Sequence, residues 1–207
     1  CYGYKRDTSQ HIDELASKGV LFSRCFSQAP WTKPSVPSYF SSLHVNTHKV
    51  GTQTYADKLG DSIPTISLML RELGFINASF NENPLAGAYS NLHQGFDTIN
   101  NDAGFSDSRA INNDLLPWIE RNRDRRFFAY VHSIDPHLPY RPPHPYDKAF
   151  SDGVPKGKVA YWTFRRAWEG SGKKFKDFVS SYPKEEIAKI EMYMQGQKNL
   201  YDGEIKH

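Results

Sequence analysis

The sequence predicts an α/β fold, a three-layer sandwich with parallel strands between helices, on three observations. Three short apolar runs, 20–26, 75–80 and 127–134, have the length and composition of buried strands. Longer stretches with apolar residues spaced near 3.6 alternate with them, as helices that cover a sheet do. The second and third runs open at their carboxyl ends into polar segments, Asn81-Glu82-Asn83-Pro84 and Asp135-Pro136-His137, the edge where such sheets bind ligands.

Each element has its own justification. Ile12, Leu15 and Ala16 share one face of a short helix over about 10–18, which Gly19 closes. The run 20–26 then reads as a buried strand leading toward Thr32. Pro34 and Pro37 fit a helix only in its first turn, where backbone N–H groups lack partners. A helix is therefore predicted to begin between Pro34 and Val36 and to run through Leu43, with Thr32 in the turn before it. Residues 44–60 are polar and rich in turn formers. Ser62, Pro64 just inside, the stripe Ile63, Ile66, Met69, Leu70 and Leu73, and Gly74 just beyond delimit an amphipathic helix. From Asp107 to Arg123 the stripe Ile111, Leu115, Leu116 and Ile119 marks another, which Pro117 kinks. The continuous apolar run 127–134 is expected to be covered on both faces. Ile187, Ile190, Met194, Tyr201 and Ile205 make 184–207 mostly one long helix.

Composition bounds the function. With 207 residues, 38% of them hydrophobic, the chain can bury a sizeable core. Its net charge of +3 argues against nucleic acid as a partner. No apolar run approaches the roughly 18 residues of a membrane span. The two cysteines, Cys1 and Cys25, make neither a disulfide framework nor a metal-ligand spacing, and the compartment stays open.

Three places carry candidate chemistry. Thr32 stands where free amide donors and the positive end of a helix dipole meet, a seat for an anionic ester; the plainer reading is a hydroxyl that tightens the turn. Asn83 is placed to donate an amide hydrogen bond to such an anion, or simply forms the turn before Pro84. Between 153 and 178, Lys156, Lys158, Arg165, Arg166, Lys173, Lys174 and Lys176 alternate with Tyr161, Trp162, Phe164 and Trp168. Such a segment binds a polyanion or phosphorylated substrate, or is an insertion with a solvated basic face. His48 reads as a surface or supporting histidine without chemistry of its own.

The stretch Ala29-Pro30-Trp31-Thr32-Lys33-Pro34-Ser35-Val36 resembles the nucleophile segment of the sulfatase family, in the alkaline phosphatase superfamily. There Ala-Pro is followed one residue later by Cys or Ser and then X-Pro-Ser-Arg. Residues 8–22, Asp135-Pro136-His137-Leu138-Pro139-Tyr140, Tyr201-Asp202-Gly203-Glu204-Ile205 and Gly95-Phe96-Asp97 are similar to further motifs in the family's order. The resemblance spans nearly the whole chain and implies a sulfatase-like α/β sandwich, incomplete at both ends. Residues 1–207 would be part of one catalytic domain, with 153–178 a variable insertion.

The resemblance also assigns roles. Thr32 falls on the nucleophile, which also faces a divalent metal (calcium, magnesium, manganese or zinc); the remaining ligands would lie outside this chain. His137, Asn83 and Lys33 become candidate substrate-binding residues, with His137 at the substrate or leaving group. The departures are chemical. Threonine cannot be oxidised to formylglycine, because its β-carbon already bears a methyl group, and Val36 replaces the arginine that supports the aldehyde. The family's Gly-Lys-Trp-His segment has no counterpart around 82–86. The expected function is therefore hydrolysis or transfer of a phosphate ester or phosphonate through Thr32. The alternatives are a sulfatase proper and a non-catalytic fold that binds an anionic glycan. The partner in each case is a small-molecule, glycan or lipid-headgroup anion.

Overall fold

The computed structural model describes residues 2–51, 56–100, 108–151 and 157–207. Cys1, Asp107 and the first residues of the expected insertion, 153–156, lie outside them. The elements in chain order are α1 (Gln10–Lys18), α2 (Thr32–Ser41), α3 (Val45–His48), α4 (Ile66–Glu72), β1 (Ile76–Asn81), β2 (Thr98–Asn100), α5 (Ser108–Asn122), β3 (Phe127–His132), α6 (Lys158–Ser171), α7 (Phe175–Ser181) and α8 (Lys184–Lys206). They fall into two compact units, one of Phe22–Asp135 and one of Cys1–Leu21 with Pro136–His207.

In the first unit β1 is central, with β2 on one side and β3 on the other, all parallel. Strand alternation sends its side chains to two different environments. Ala78 and Phe80 join Ile111, Leu115 and Trp118 of α5 in one core, which Phe127 and Ala129 of β3 extend. On the opposite face Phe128 and Tyr130 pack against a second core of Val36, Phe40, Val50, Leu59, Ala86, Leu92 and Phe96. Helix, sheet and helix thus form three layers, as expected of the α/β sandwich.

The polar residues of β1 are structural. Asn77 is fully buried; its amide donates to Ser67 O at 2.6 Å and Gly95 O at 2.8 Å, while its backbone N–H donates to Asp97 Oδ2 at 2.9 Å. One side chain therefore holds α4 and the loop before β2 against the central strand. Gly95 has φ +81°, and a Cβ there would stand 2.5 Å from Leu68 N, so the loop packs on α4 only with glycine.

Several expectations change. Residues 20–26 form no strand, and Val20, Phe22 and Phe26 are 80%, 68% and 81% exposed. An apolar run becomes a buried strand only where a ladder partner and a covering face exist, and among the described residues β1 is flanked by β2 and β3 instead. α2 begins at Thr32, earlier than the prolines predict: Ser35 N–H donates to Trp31 O at 3.4 Å, Pro34 occupies the first turn, and Pro37 is tolerated inside the helix. Ser38 and Ser41 return hydroxyl bonds to the carbonyls of Pro34 and Pro37, and the helix ends at Ser41 with left-handed Ser42.

α4 starts at Ile66, with the Thr65 hydroxyl accepting from Leu68 N–H at 3.3 Å; Pro64 disfavours a helical residue before it, so the cap moves past Ser62. Gly95-Phe96-Asp97 leads into β2. β3 is half-buried along most of its length instead of covered on both faces, as suits the end of the described sheet. α5 runs through Pro117 as one element.

The second unit is helical. Phe164 of α6, Phe178 of α7 and Ile190 of α8 form its core, with Trp168, Tyr161 and Tyr182 packed around them. Part of the aromatic content of 153–178 is thus consumed in packing. The segment 201–205 fastens the unit: Asp202 accepts from the Tyr4 hydroxyl at 2.7 Å and pairs with Arg6 at 2.6 Å, and Glu204 accepts from the Arg141 backbone N–H. Between them a Cβ on Gly203 would meet Tyr146 O at 2.4 Å, so only glycine permits this approach.

Asn77→Ala should lower unfolding free energy by about 2–4 kcal/mol, since it removes two buried bonds and strands two carbonyls. Denaturant unfolding checks this; an unchanged midpoint would show that the strand and α4 hold together without the amide.

Candidate active site

The site is built from the start of α2 and the segment after β1. As the first helical residue, Thr32 presents a half-buried hydroxyl at the N-terminal end of α2. Asn83 Nδ2 approaches Thr32 Oγ1 at 3.4 Å. That amide is aimed by its neighbours: Asn83 Oδ1 accepts from Leu85 N–H at 3.0 Å, and Asn83 N–H donates to Asn81 Oδ1 at 2.8 Å. Asn83 is therefore both turn former and donor, because the two ends of one amide serve different partners.

Lys33 is 1% exposed, and its ammonium is paired with Asp57, whose other oxygen accepts from Gly51 N–H at 2.6 Å. The residue beside Thr32 is thus a buried cation with a fixed counter-ion, which the sequence pattern alone does not reveal. His48 is buried, with Nε2 2.9 Å from Ser38 Oγ and Nδ1 accepting from Val50 N–H at 3.0 Å. It braces α2 and is not a surface histidine. Asp135 accepts from the backbone N–H and hydroxyl of Ser108 at 3.0 and 2.7 Å, a carboxylate on the first residue of α5.

Sequence reasoning missed a hydrogen-bonded chain on one face of this unit. Tyr39 and Tyr130 hydroxyls lie 3.1 Å apart, and the Tyr130 hydroxyl is 2.7 Å from His132 Nδ1. The two-residue spacing of Tyr130 and His132 on a strand puts them on one face, but Tyr39 joins them only through folding. Burial raises the pKa of both tyrosines and lowers that of His132, so Tyr130 donates to a neutral imidazole. The His132 carbonyl accepts from Glu82 N–H at 3.1 Å, and Glu82 itself is buried. Nearby, Asn81 Nδ2 is buried without a hydrogen-bond partner among the described residues.

His137 belongs to the helical unit. It is exposed, and its Nδ1 lies 2.7 Å from the Leu138 carbonyl, which can only accept. Nδ1 therefore carries the proton and Nε2 is the open nitrogen of the neutral ring.

Residues 1–206 match the sulfatase family pattern. This chain belongs to the sulfatase family. A delta 4,5-hexuronate-2-O-sulfatase of Bacteroides thetaiotaomicron is 27% identical over 77 residues, 36% of this chain and 16% of the relative. A phosphonate monoester hydrolase of Agrobacterium radiobacter shares the fold at TM-score 0.64 and 18% identity, over 98% of this chain and 54% of that one. A structure solved with its substrate D-glucosamine-2-N,6-O-disulfate gives TM-score 0.58 and 14% identity, over 100% and 54%. The chain spans about half the length of these solved structures. Their likeness establishes the alkaline phosphatase and sulfatase-like fold.

Superfamily members are metal-dependent. Among the described residues no group of three or more His, Cys, Asp or Glu side chains is arranged to hold a metal ion, and Thr32 offers one neutral oxygen. These residues alone do not make a metal site.

Burial lowers the pKa of His48 and His132 below the usual imidazole value. The unfolded chain then binds protons that the folded state refuses, so stability is fully present above the ordinary value of about 6.5 and falls as pH drops below it. His132→Phe should flatten this acid slope. Urea titrations between pH 8 and 5 test it, and a slope unchanged by the substitution would remove His132 from the account.

Proposed function

We propose that this sulfatase-family chain carries the nucleophile of a hydrolase or transferase acting on a phosphate ester or phosphonate, and that the nucleophile is Thr32. The observation behind this reading is the pair of residues 32 and 36. Threonine cannot yield the aldehyde of formylglycine. Val36, where the family pattern has arginine, is 2% exposed and packed in the core with Phe40 and Phe96, so that position offers no cation to an aldehyde hydrate.

A hydroxyl nucleophile suits phosphorus. Thr32 Oγ1 bonds to phosphorus as its proton passes to solvent water, and the bond from phosphorus to the ester oxygen breaks. Water or an acceptor alcohol then attacks phosphorus and releases the threonine. Asn83 Nδ2 holds the nucleophilic oxygen in line and donates to an oxygen of the ester. Lys33 stands beside it in sequence, its charge shared with Asp57. His137, by its place in the Asp-Pro-His motif, is assigned to the leaving oxygen, to which its imidazolium form gives the Nε2 proton as the oxygen departs. The phosphonate monoester hydrolase sharing the fold is in keeping with this class of substrate.

A second reading, hydrolysis of a sulfated sugar with threonine attacking sulfur directly, is favoured by the hexuronate sulfatase relative and by the structure solved with a sulfated glucosamine. A sulfated threonine lacks the elimination route by which an aldehyde hydrate sheds sulfate. Turnover would then stall after one cycle.

The full-length protein should therefore show higher kcat/KM for aryl phosphate, phosphodiester or phosphonate than for the matched aryl sulfate. Thr32→Ala should abolish activity, and Thr32→Ser should retain much of it, since the hydroxyl survives. A preference for sulfate in the wild type, or full activity in Thr32→Ala, would overturn the reading. His137→Ala should lower kcat by about 10²–10⁴-fold with the melting temperature unchanged. Lost stability with kcat retained in the folded fraction would instead make His137 a packing residue.

A further inference from the structure

β3 ends on His132, and side chains on a strand alternate, so Phe128, Tyr130 and His132 share one face. That face is the one α2 covers: the Tyr130 ring meets Phe40 edge-on with centroids 4.9 Å apart, and the Tyr39 hydroxyl lies 3.1 Å from that of Tyr130. At ~3.3 Å per residue, His132 stands about 7 Å nearer the carboxyl edge than Tyr130. Followed back from Tyr39, α2 reaches the same edge, since Thr32 at its start meets Asn83 just after β1. At ~1.5 Å per residue, about 10 Å of helix separates Tyr39 from Thr32. The ladder fixes the remaining side: Asn81 pairs with His132, and Glu82 N–H donates to the His132 carbonyl at 3.1 Å. His132 therefore lies between Tyr130 and the Thr32–Asn83 contact, on the face that α2 covers.

Its ring is held in one tautomer. A phenol is the stronger acid and an imidazole the stronger base of the pair, so the 2.7 Å bond runs from the Tyr130 hydroxyl to Nδ1. The Tyr39 hydroxyl in turn donates to the Tyr130 oxygen. With Nδ1 accepting, the neutral ring carries its proton on Nε2. His48, which braces α2, spends both nitrogens on Ser38 and Val50. His132 differs: Nε2 makes no hydrogen bond among the described residues, and the side chain is only half-buried. A locked N–H is thus left over at the edge where Thr32 stands.

We propose that His132 Nε2–H donates a hydrogen bond to a non-bridging oxygen of the ester whose phosphorus Thr32 attacks, and that Tyr130, backed by Tyr39, is the positioning residue that holds this tautomer. The inference rests on the reading of Thr32 as the nucleophile. The non-bridging oxygens carry much of the transition-state charge, and a donor fixed before reaction stabilises it without reorganisation. No proton changes hands, because Nδ1 is occupied by the Tyr130 hydroxyl and the ring keeps its Nε2 proton. Asn83 then approaches the ester from the end of β1 and His132 from the end of β3. The role is distinct from that of His137, which protonates the leaving oxygen.

The test measures kcat and KM of the full-length enzyme on whichever aryl phosphate, phosphodiester or phosphonate the wild type hydrolyses fastest. His132→Phe should lower kcat by about 10²–10³-fold, the cost of one lost transition-state donor, with KM changed by less than about threefold. His132→Gln, whose amide can place an N–H near the position of Nε2, should be at least about tenfold faster than His132→Phe. A packing role predicts the reverse order, since phenylalanine replaces an aromatic ring better than glutamine does. Tyr130→Phe, which removes one oxygen and keeps the ring, should lower kcat by about tenfold by freeing the tautomer; it decides the matter alone if the His132 variants do not fold. An unchanged kcat in Tyr130→Phe or His132→Phe, or a His132→Gln variant no faster than His132→Phe, would overturn the inference, and loss of activity in Thr32→Ala would still leave the nucleophile standing. Full activity in Thr32→Ala would remove that reading and this inference with it.

Discussion

The buried amide of Asn77 is the constraint on which the sheet-bearing unit rests. A central parallel strand is covered on both faces, so a polar side chain there must find partners or destabilise the fold. The Nδ2 group of Asn77 finds them in the carbonyls of Ser67 and Gly95, and its backbone N–H finds Asp97, while Oδ1 has no hydrogen-bond partner among the described residues. β1, α4 and the entrance to β2 are thereby fixed together. The end of β1 then delivers Asn81, Glu82 and Asn83 in a defined register, and Asn83 reaches Thr32 from there.

α2 makes the complementary contribution. Its prolines and serines trade backbone bonds for side-chain bonds: Pro37 has no N–H to give, while Ser38 and Ser41 return bonds to the preceding turn. His48 locks Ser38, and Asp57 locks Lys33. A short helix of modest propensity is in this way held rigidly enough to present one hydroxyl at its start. Putting Val36 into the core of the same helix gives the segment apolar anchorage where the family pattern places a cation.

The helical unit divides one sequence feature between two physical uses. The aromatic residues of α6 and α7 that point toward α8, Phe164 and Phe178, build a core. Their neighbours Tyr161 and Trp162 line an open groove with Arg165. The Tyr201–Ile205 segment, quoted above as a family motif, has a structural role here: Asp202 and Glu204 are buried acceptors for Tyr4, Arg6 and the Arg141 backbone. A groove bordered by Tyr201 is thus framed by the residues that fasten the unit.

Much was determined by the sequence alone. The runs at β1 and β3 and the stripes of α1, α5 and α8 announce themselves, because period and length are local properties. Two departures from the family pattern, a threonine at 32 that cannot yield formylglycine and a valine at 36 where the pattern has arginine, are also legible, since they depend on side-chain identity. What only the tertiary structure decided depends on partners distant in sequence. Residues 20–26 have strand-like composition and no ladder partner among the described residues, while the three residues of β2 pair although too short to signal themselves. Lys33 looks like a free cation until Asp57 closes on it, and Tyr130 and His132 form a chain only because α2 brings Tyr39 against them. Periodicity and residue type are written in the chain, but hydrogen-bond partners, burial and charge pairing exist only once distant segments meet.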